Sequence, residues 1–358
     1  MKNIVIKLLV VIFASFVSIV FAGNEKPNFT WKACWGKGDP EAICSKAREI
    51  GLNAFIVKNR DLDYLRKFAK AGKKYGIETY FSLRFNYKKQ YPENFRQVMN
   101  SQEQEQCSIF KSKNIPALCK IKYQWGGEPV KKGEVLNEEM LCFHRPEVLD
   151  KTKSIIKNVL DNVPDLTGLG IDYLGYQNYH CCYCDYSMKL FEEYCKKHKS
   201  LSKEKALNQF SLEKLVEFNN ELTRYARSIK PDIKITCHVY PVFLPEILYG
   251  NRLDVDYCGE TVAWFFKPFW SYWKIRRYTK TILKNQSKHF KNQKAVAMVG
   301  IYSEDTCKRK GYDCIKTKER IKKELLTINK AGCDKVMFCC FNIVKDKEIT
   351  DTLKKLLR

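Results

Sequence analysis

Residues 167–194, TGLGIDYLGYQNYHCCYCDYSMKLFEEY, decide how this chain folds. They open as an apolar strand, Leu169 to Ile171, that ends on an acid, Asp172. A loop rich in Tyr and Cys follows, and an amphipathic helix begins near Tyr186. A carboxylate at the C-terminal tip of a buried strand, ahead of an aromatic loop, sits where a (β/α)8 barrel keeps its chemistry. The plainer account makes Asp172 a loop cap or the partner of a nearby Lys. The rest of the chain has to choose between the two.

Working outward, apolar runs of strand length alternate with helical patterns eight times, the signature of a parallel α/β fold. Strands are expected at 30–35, 53–58, 78–85, 168–172, 234–238, 255–258, 295–302 and 335–341. The intervening helices fall at 40–50, 62–75, 146–163, 186–197, 212–229, 272–285, 316–331 and 347–357. Gly51, Gly76, Gly168 and Gly332 each stand just before a strand, where a helix C-cap is expected. Four such junctions argue against a β-sandwich. A doubly wound sheet shares the alternation, but no GxGxxG follows the first strand to cradle a dinucleotide. The expected fold is therefore an α/β TIM barrel, one domain over 23–358 with a long polar insertion, about 87–137, after strand three.

Residues 1–22 read as an export signal. Lys2 and Lys7 form a charged start, an apolar stretch follows, and Val20 and Ala22 offer small residues to a signal peptidase. The apolar stretch is short for a membrane span of roughly 20 residues. The expected location is secreted or periplasmic. With 45% hydrophobic and 13% aromatic residues the mature part has enough apolar material for a core, which excludes a disordered chain.

The formal charge of +24 is spread through helices as Lys, as at Lys70, Lys73 and Lys74 or Lys196, Lys197 and Lys199. Without a nucleic-acid motif such runs are solvated helix faces, so DNA and RNA are not expected partners. Attraction to an anionic glycan or cell envelope suits the charge better, and salt would weaken it. All 16 cysteines follow the signal segment, and an exported chain can form disulfides. Cys307 with Cys314 and Cys107 with Cys119 are the expected pairs. Cys34, Cys237, Cys258, Cys339 and Cys340 lie in or beside strands and read as small buried hydrophobes.

The active face of such a barrel collects the C-terminal ends of its strands. In order these carry Trp35, Lys58, Arg84, Asn86, Asp172, Tyr173, Tyr176, His238, Tyr240, Glu260, Tyr302 and Asn342. Trp264 opens an aromatic run, WFFKPFWSYW, beyond strand six. Carboxylates, amides, His and flat rings together suit a carbohydrate better than a phosphate ester. Glycoside hydrolysis needs two carboxyl groups, one ionised and one protonated. Asp172 is the first candidate and Glu260, among aromatics, the second. Asp256 and Glu304 are the weaker alternatives to Glu260. The remaining rim residues are the expected sugar-binding set. His238 reads equally as a core histidine, Lys58 as a rim salt bridge, and the aromatic run as a sugar-stacking wall or a packing cover.

Cys181, Cys182 and Cys184, beside His180, allow a disulfide or a structural zinc site. A third account of the chain, a metal or redox protein built on this cluster, ranks below the other two.

Residues Cys142, Phe143, Pro146, Glu147, Val148, Gly168, Asp172, Tyr173, Cys182, Cys184 and Phe191 form a pattern of Cys-Phe-x-x-Pro-Glu-Val, Gly-x-x-x-Asp-Tyr and a Cys-x-Cys loop. The pattern resembles exported barrel glycoside hydrolases related to the beta-galactosidases that carry a cysteine-bound zinc. The resemblance covers 141–194 closely and the remainder only in architecture. It implies that Asp172 lies in a sugar-binding cleft and that Glu260 is its later partner. The chain departs from the pattern at Ser187, where the loop would carry another cysteine. It departs again at Asp172, since these beta-galactosidases use glutamates at strands four and seven, whereas an Asp at strand four is similar to alpha-glycosidases. The expectation is an exported glycoside hydrolase-like protein acting on a cell-wall or environmental glycan, with no cofactor. The rival is a non-catalytic glycan-binding or envelope protein on the same barrel.

Overall fold

The computed structural model describes residues 26–112, 139–172, 174–178, 180–239, 249–265, 267–310, 313–339 and 341–358. Eight strands run β1 Trp31–Gly36, β2 Ala54–Val57, β3 Glu78–Arg84, β4 Gly168–Asp172, β5 Lys234–Val239, β6 Tyr257–Ala263, β7 Lys294–Gly300 and β8 Lys335–Cys339. Each pairs in parallel with its neighbours in sequence, and β8 closes on β1. The fold is a (β/α)8 barrel. The helices are α1 Pro40–Ile50, α2 Leu62–Tyr75, α3 Ser101–Ser112, α4 Pro146–Asn162, α5 Asp185–Lys197, α6 Lys203–Ile229, α7 Tyr272–Asn285, α8 Glu304–Lys310, α9 Lys318–Lys330 and α10 Lys347–Leu357. No helix among the described residues is long and apolar enough to cross a membrane.

Local chemistry sets where the helices start and stop. The side chains of Asp39, Asp61, Ser271 and Thr317 accept hydrogen bonds from Ala42, Tyr64, Lys274 and Arg320 respectively, each satisfying an orphan backbone donor. Gly51 and Gly76 end α1 and α2 with φ of 86° and 66°, a left-handed turn that glycine adopts without steric cost.

Alternation along each strand divides the residues between the barrel interior and the helix layer. The interior is filled from below. Trp31 stacks on Tyr257 at 4.3 Å, and Glu78 accepts hydrogen bonds from Trp31 Nε1 at 3.0 Å and from the Tyr80 hydroxyl at 2.8 Å. Lys234 forms an ion pair with the same carboxylate. One layer up, the Trp35 indole donates to Met337 Sδ at 2.7 Å and lies over Gly170, where a Cβ would come within 2.9 Å of its ring. A packed interior leaves the C-terminal rim as the open end.

Three expectations need correction. The sixth strand begins at Tyr257 and runs to Ala263, whereas 255–258 was expected. Gly259 does not break it, because Gly259 faces inward, where an added Cβ would come within 3.3 Å of Met337 Sδ. Gly168 is not a helix cap but the first residue of β4, where a Cβ would meet the Lys234 carbonyl and the Tyr80 ring. The helix expected at 212–229 starts nine residues earlier, capped by Ser202. Cys307 and Cys314 are joined by a disulfide, as expected. Cys34, Cys237, Cys258 and Cys339 are all buried, as small hydrophobes would be. Cys119 of the expected Cys107–Cys119 pair, Cys340 and the signal segment lie outside the described residues.

Candidate active site at the C-terminal end of the barrel

Register places Arg84, the last residue of β3, directly opposite Asp172, the last of β4. Both face the interior, so their side chains meet at the rim. Arg84 Nε lies 3.5 Å from Asp172 Oδ2, and His238 Nδ1, from β5, lies 3.5 Å from Asp172 Oδ1. The other ring nitrogen of His238 is 2.9 Å from Thr261 Oγ1 on β6, which fixes the imidazole between the two strands. Asp172 is only 4% exposed. Burial alone would push its carboxyl group up. The hydrogen bond from His238 and the positive charges of Lys58 and Arg84 outweigh that, and hold it below the ordinary carboxylate range. Asp172 is therefore an ionised carboxylate in a nearly dry position.

Glu260 is elsewhere. It shares a strand face with Cys258, and that face points away from the interior that Thr261 and Gly259 occupy. Its carboxylate accepts hydrogen bonds from the Tyr278 hydroxyl on α7 at 3.3 Å and from the Cys258 thiol at 3.8 Å. Gly250 closes over it so tightly that a Cβ there would stand 2.7 Å from Glu260 Oε1. Burial and the neighbouring Cys237 push its carboxyl group well above the ordinary range. The proton is held as an acid would need, but the group is sealed between wall and helix. The expected pairing of Asp172 with Glu260 across a cleft is not formed.

The other carboxylates considered do not replace it. Asp256, below β6, pairs with Arg227 at 3.3 Å and accepts from the Ile235 amide at 2.7 Å. Glu304 lies on the exposed first turn of α8, paired with Lys308 at 2.7 Å.

The expected sugar-binding residues divide. Lys58, Arg84 and Asn86 line a cavity of 550 Å³ at the ends of β2 and β3, together with Asn59, Arg60, Ser82, Tyr87, Lys88, Gln90, Tyr91 and Glu139. His238 and Trp35 sit beside and beneath Asp172 as described. Tyr176 is instead fully buried, its hydroxyl hydrogen-bonded to His144 Nε2 at 2.7 Å and to the Ser211 carbonyl at 2.9 Å. Trp264 packs against Trp270 at 6.4 Å and is buried. Tyr302 is half-buried beside Phe265. Asn342 caps the turn before α10, accepting from the amides of Val344 and Lys345. Tyr173 and Tyr240 lie outside the described residues. Ser82, Tyr91 and Glu139 were not singled out from sequence, whereas Arg60 follows Lys58 and Asn59 in the rim run that closes the second strand.

The aromatic run after β6 serves mainly as cover. Arg320 on α9 donates to the Trp270 carbonyl and lies over the rings of Phe269 and Tyr272 at 5.3 and 4.6 Å. It also bonds Glu324, whose buried carboxylate takes Lys316 at 2.8 Å.

No family model matches the chain, and no curated protein matches it in sequence. Solved structures do match it. One is a cold-adapted beta-galactosidase from Rahnella sp. R3, 12% identical over 93% of this chain and 56% of that one, with a TM-score of 0.59. Another is a beta-galactosidase from Bacillus circulans sp. alkalophilus, 13% identical over 87% and 50%, at 0.54. A third is a catalytic mutant of a GH42 beta-galactosidase from G. stearothermophilus, 12% identical over 88% and 52%, at 0.55. The likeness is one of fold. This chain spans about half the length of those proteins.

The cysteine loop after β4 folds back on the insertion. Cys142, Cys182 and Cys184 are buried with their sulfurs within 4.8 Å of one another. Ser187 takes the remaining corner, its hydroxyl 3.1 Å from Cys184 Sγ and 3.4 Å from Cys142 Sγ, with His144 Nδ1 behind it at 2.8 Å. Cys181 is not a member of the group. The three buried thiols form a donor set that fits a thiophilic divalent ion such as zinc, while Ser187 stands where a fourth Cys or His ligand would complete a closed site. An ion there would fasten the loop that leaves Asp172.

Proposed function

We propose that this chain is an exported glycoside hydrolase-like protein whose C-terminal rim binds a glycan, with Asp172 as the ionised carboxylate of the reaction. The observation that carries the reading is Asp172 itself, a buried carboxylate kept charged by His238, Arg84 and Lys58 at the tip of β4. The barrel's structural likeness to beta-galactosidases supports it. A group held ionised in a dry site is suited to attack an anomeric carbon, to activate a water, or to stabilise an oxocarbenium-like charge. It is not suited to donate the leaving-group proton. Glu260 does not supply that proton in this proposal, because its carboxyl group faces α7.

The same placement of Glu260 favours a second reading, a cleft that recognises glycan without cleaving it. Hydrolysis of a panel of α- and β-linked aryl glycosides and polysaccharides, wild type beside Asp172→Asn, separates the two. An enzyme of the proposed kind loses activity by about 10²-fold or more in the variant, as expected when a charge that stabilises the transition state is removed. Equal activity in both proteins would take Asp172 out of the mechanism. Glycan binding without turnover in either would establish the second reading. Export is tested by the N-terminus of the protein recovered outside the cytoplasm, which should begin near Gly23.

A further inference from the structure

We propose that the cavity beside Asp172 is a subsite for the carboxylate of an acidic sugar, a hexuronate unit of the bound glycan. The proposal rests on the glycan reading above and names the class of glycan. Its 550 Å³ lies within the roughly 300–1,000 Å³ of small-molecule sites. Among the described residues four cations, Lys58, Arg60, Arg84 and Lys88, line it against one carboxylate, Glu139, which Arg96 already engages at 3.2 Å.

Arg60 shows what the cavity lacks. Its guanidinium is partly buried and donates to the Arg84 carbonyl at 3.2 Å and, more weakly, to the Ser82 carbonyl at 3.5 Å. Among the described residues all of these partners are neutral, and no acid pairs with it. A buried cation without a counter-charge is costly, and an anion brought by a ligand offsets that cost. Ser82 adds a second, independent sign. The residue lines the same cavity and is 2% exposed, and its buried Oγ finds no hydrogen-bond partner among the described residues. A neutral sugar would leave Arg60 uncompensated; a uronate supplies the missing charge. The planar guanidinium fork matches a carboxylate edge to edge. Arg84 joins the cavity to Asp172, so the acidic unit would lie next to the carboxylate of the proposed reaction.

The test is calorimetric titration with galacturonate and glucuronate trisaccharides, each beside its carboxyl-reduced neutral counterpart, and with inorganic sulfate. At least one acidic trisaccharide should bind about tenfold tighter than its neutral form, the size of one charge-assisted hydrogen bond. Salt should weaken the acidic form alone. Lys58→Met should erase most of that preference. The double variant Lys196→Gln/Lys197→Gln removes charge from a remote helix face and should not alter it. Equal binding of acidic and neutral sugars would overturn the acidic subsite while leaving the glycan reading intact. Sulfate binding as tightly as the acidic sugars would overturn the carboxylate assignment. An equal loss in the Lys196/Lys197 variant would trace the preference to the whole molecule's field. Binding of no sugar at all would overturn the glycan reading itself.

Discussion

The protonation state of a carboxyl group follows from what surrounds it, and opposite sides of the barrel wall give Asp172 and Glu260 opposite surroundings. Asp172 is depressed, so its contribution to stability is present above the ordinary Asp value and is lost as pH falls through its lower folded value. Glu260 is raised, so the folded state keeps a proton that the unfolded chain releases near the ordinary Glu value. Its contribution is full below that value and is lost as pH rises from there toward its folded value. Glu260→Gln should therefore flatten the fall in melting temperature between mildly acidic and alkaline pH, while glycan binding and any hydrolysis stay as in the wild type. Melting curves that stay parallel across pH in the two proteins would mean that Glu260 is already ionised in the fold. Glu260→Ala removes an acceptor of the Tyr278 hydroxyl and should cost about 1–3 kcal/mol at mildly acidic pH, where the group keeps its proton. The facing of Glu260 was present in the sequence as the small pair Gly259 and Thr261, the residues a crowded interior accepts. Ending the strand at Cys258 hid that alternation. Asp172 was legible because an acid closing an apolar strand is costly to bury unless nearby groups keep it charged.

Elements are where the cysteine loop acts. It follows β4, so whatever fixes Cys182 and Cys184 also fixes the exit of the chain from Asp172. Protein purified from zinc-containing medium should carry about one zinc per chain. Cys184→Ser should lower both that stoichiometry and the melting temperature, read by elemental analysis and by thermal unfolding. A metal-free protein indifferent to a chelator would make the cluster a packing element. Clustering of cysteines in 181–184 was visible in the sequence, but which of them converge was not. Cys142 enters from 40 residues away, and only the closed fold brings it to the others. Helices and most strands were readable because their signals are local, as the Asp61 cap and the Gly76 stop of α2 show. The cavity was not. It is assembled from β2, β3 and the returning insertion residue Glu139, three stretches whose meeting depends on register.

For the whole molecule, closure was legible, since eight alternating units have one economical way to bury every strand on both faces. The last unit completes it: β8 pairs with β1, and α10 packs between α1 and α9 over that seam. Lys354 bonds Glu49 at 3.1 Å, and Gly51, at the end of α1, approaches the Leu357 carbonyl so closely that a Cβ would come within 3.0 Å. Leu353, Leu356 and Leu357 are all buried. At about 1.5–3 kcal/mol for each buried leucine, the three contribute roughly 5–9 kcal/mol, comparable to the whole net stability of a typical domain at about 5–15 kcal/mol. Cutting the chain after Asn342 should therefore abolish cooperative unfolding rather than shift it, leaving a barrel that is insoluble or melts without a transition. Leu353→Ala, a smaller change at the same seam, should keep a cooperative transition and cost about 2–5 kcal/mol. If the truncated protein instead melts sharply at the wild-type temperature, α10 is an appendage and the barrel holds its first and last strands together without it.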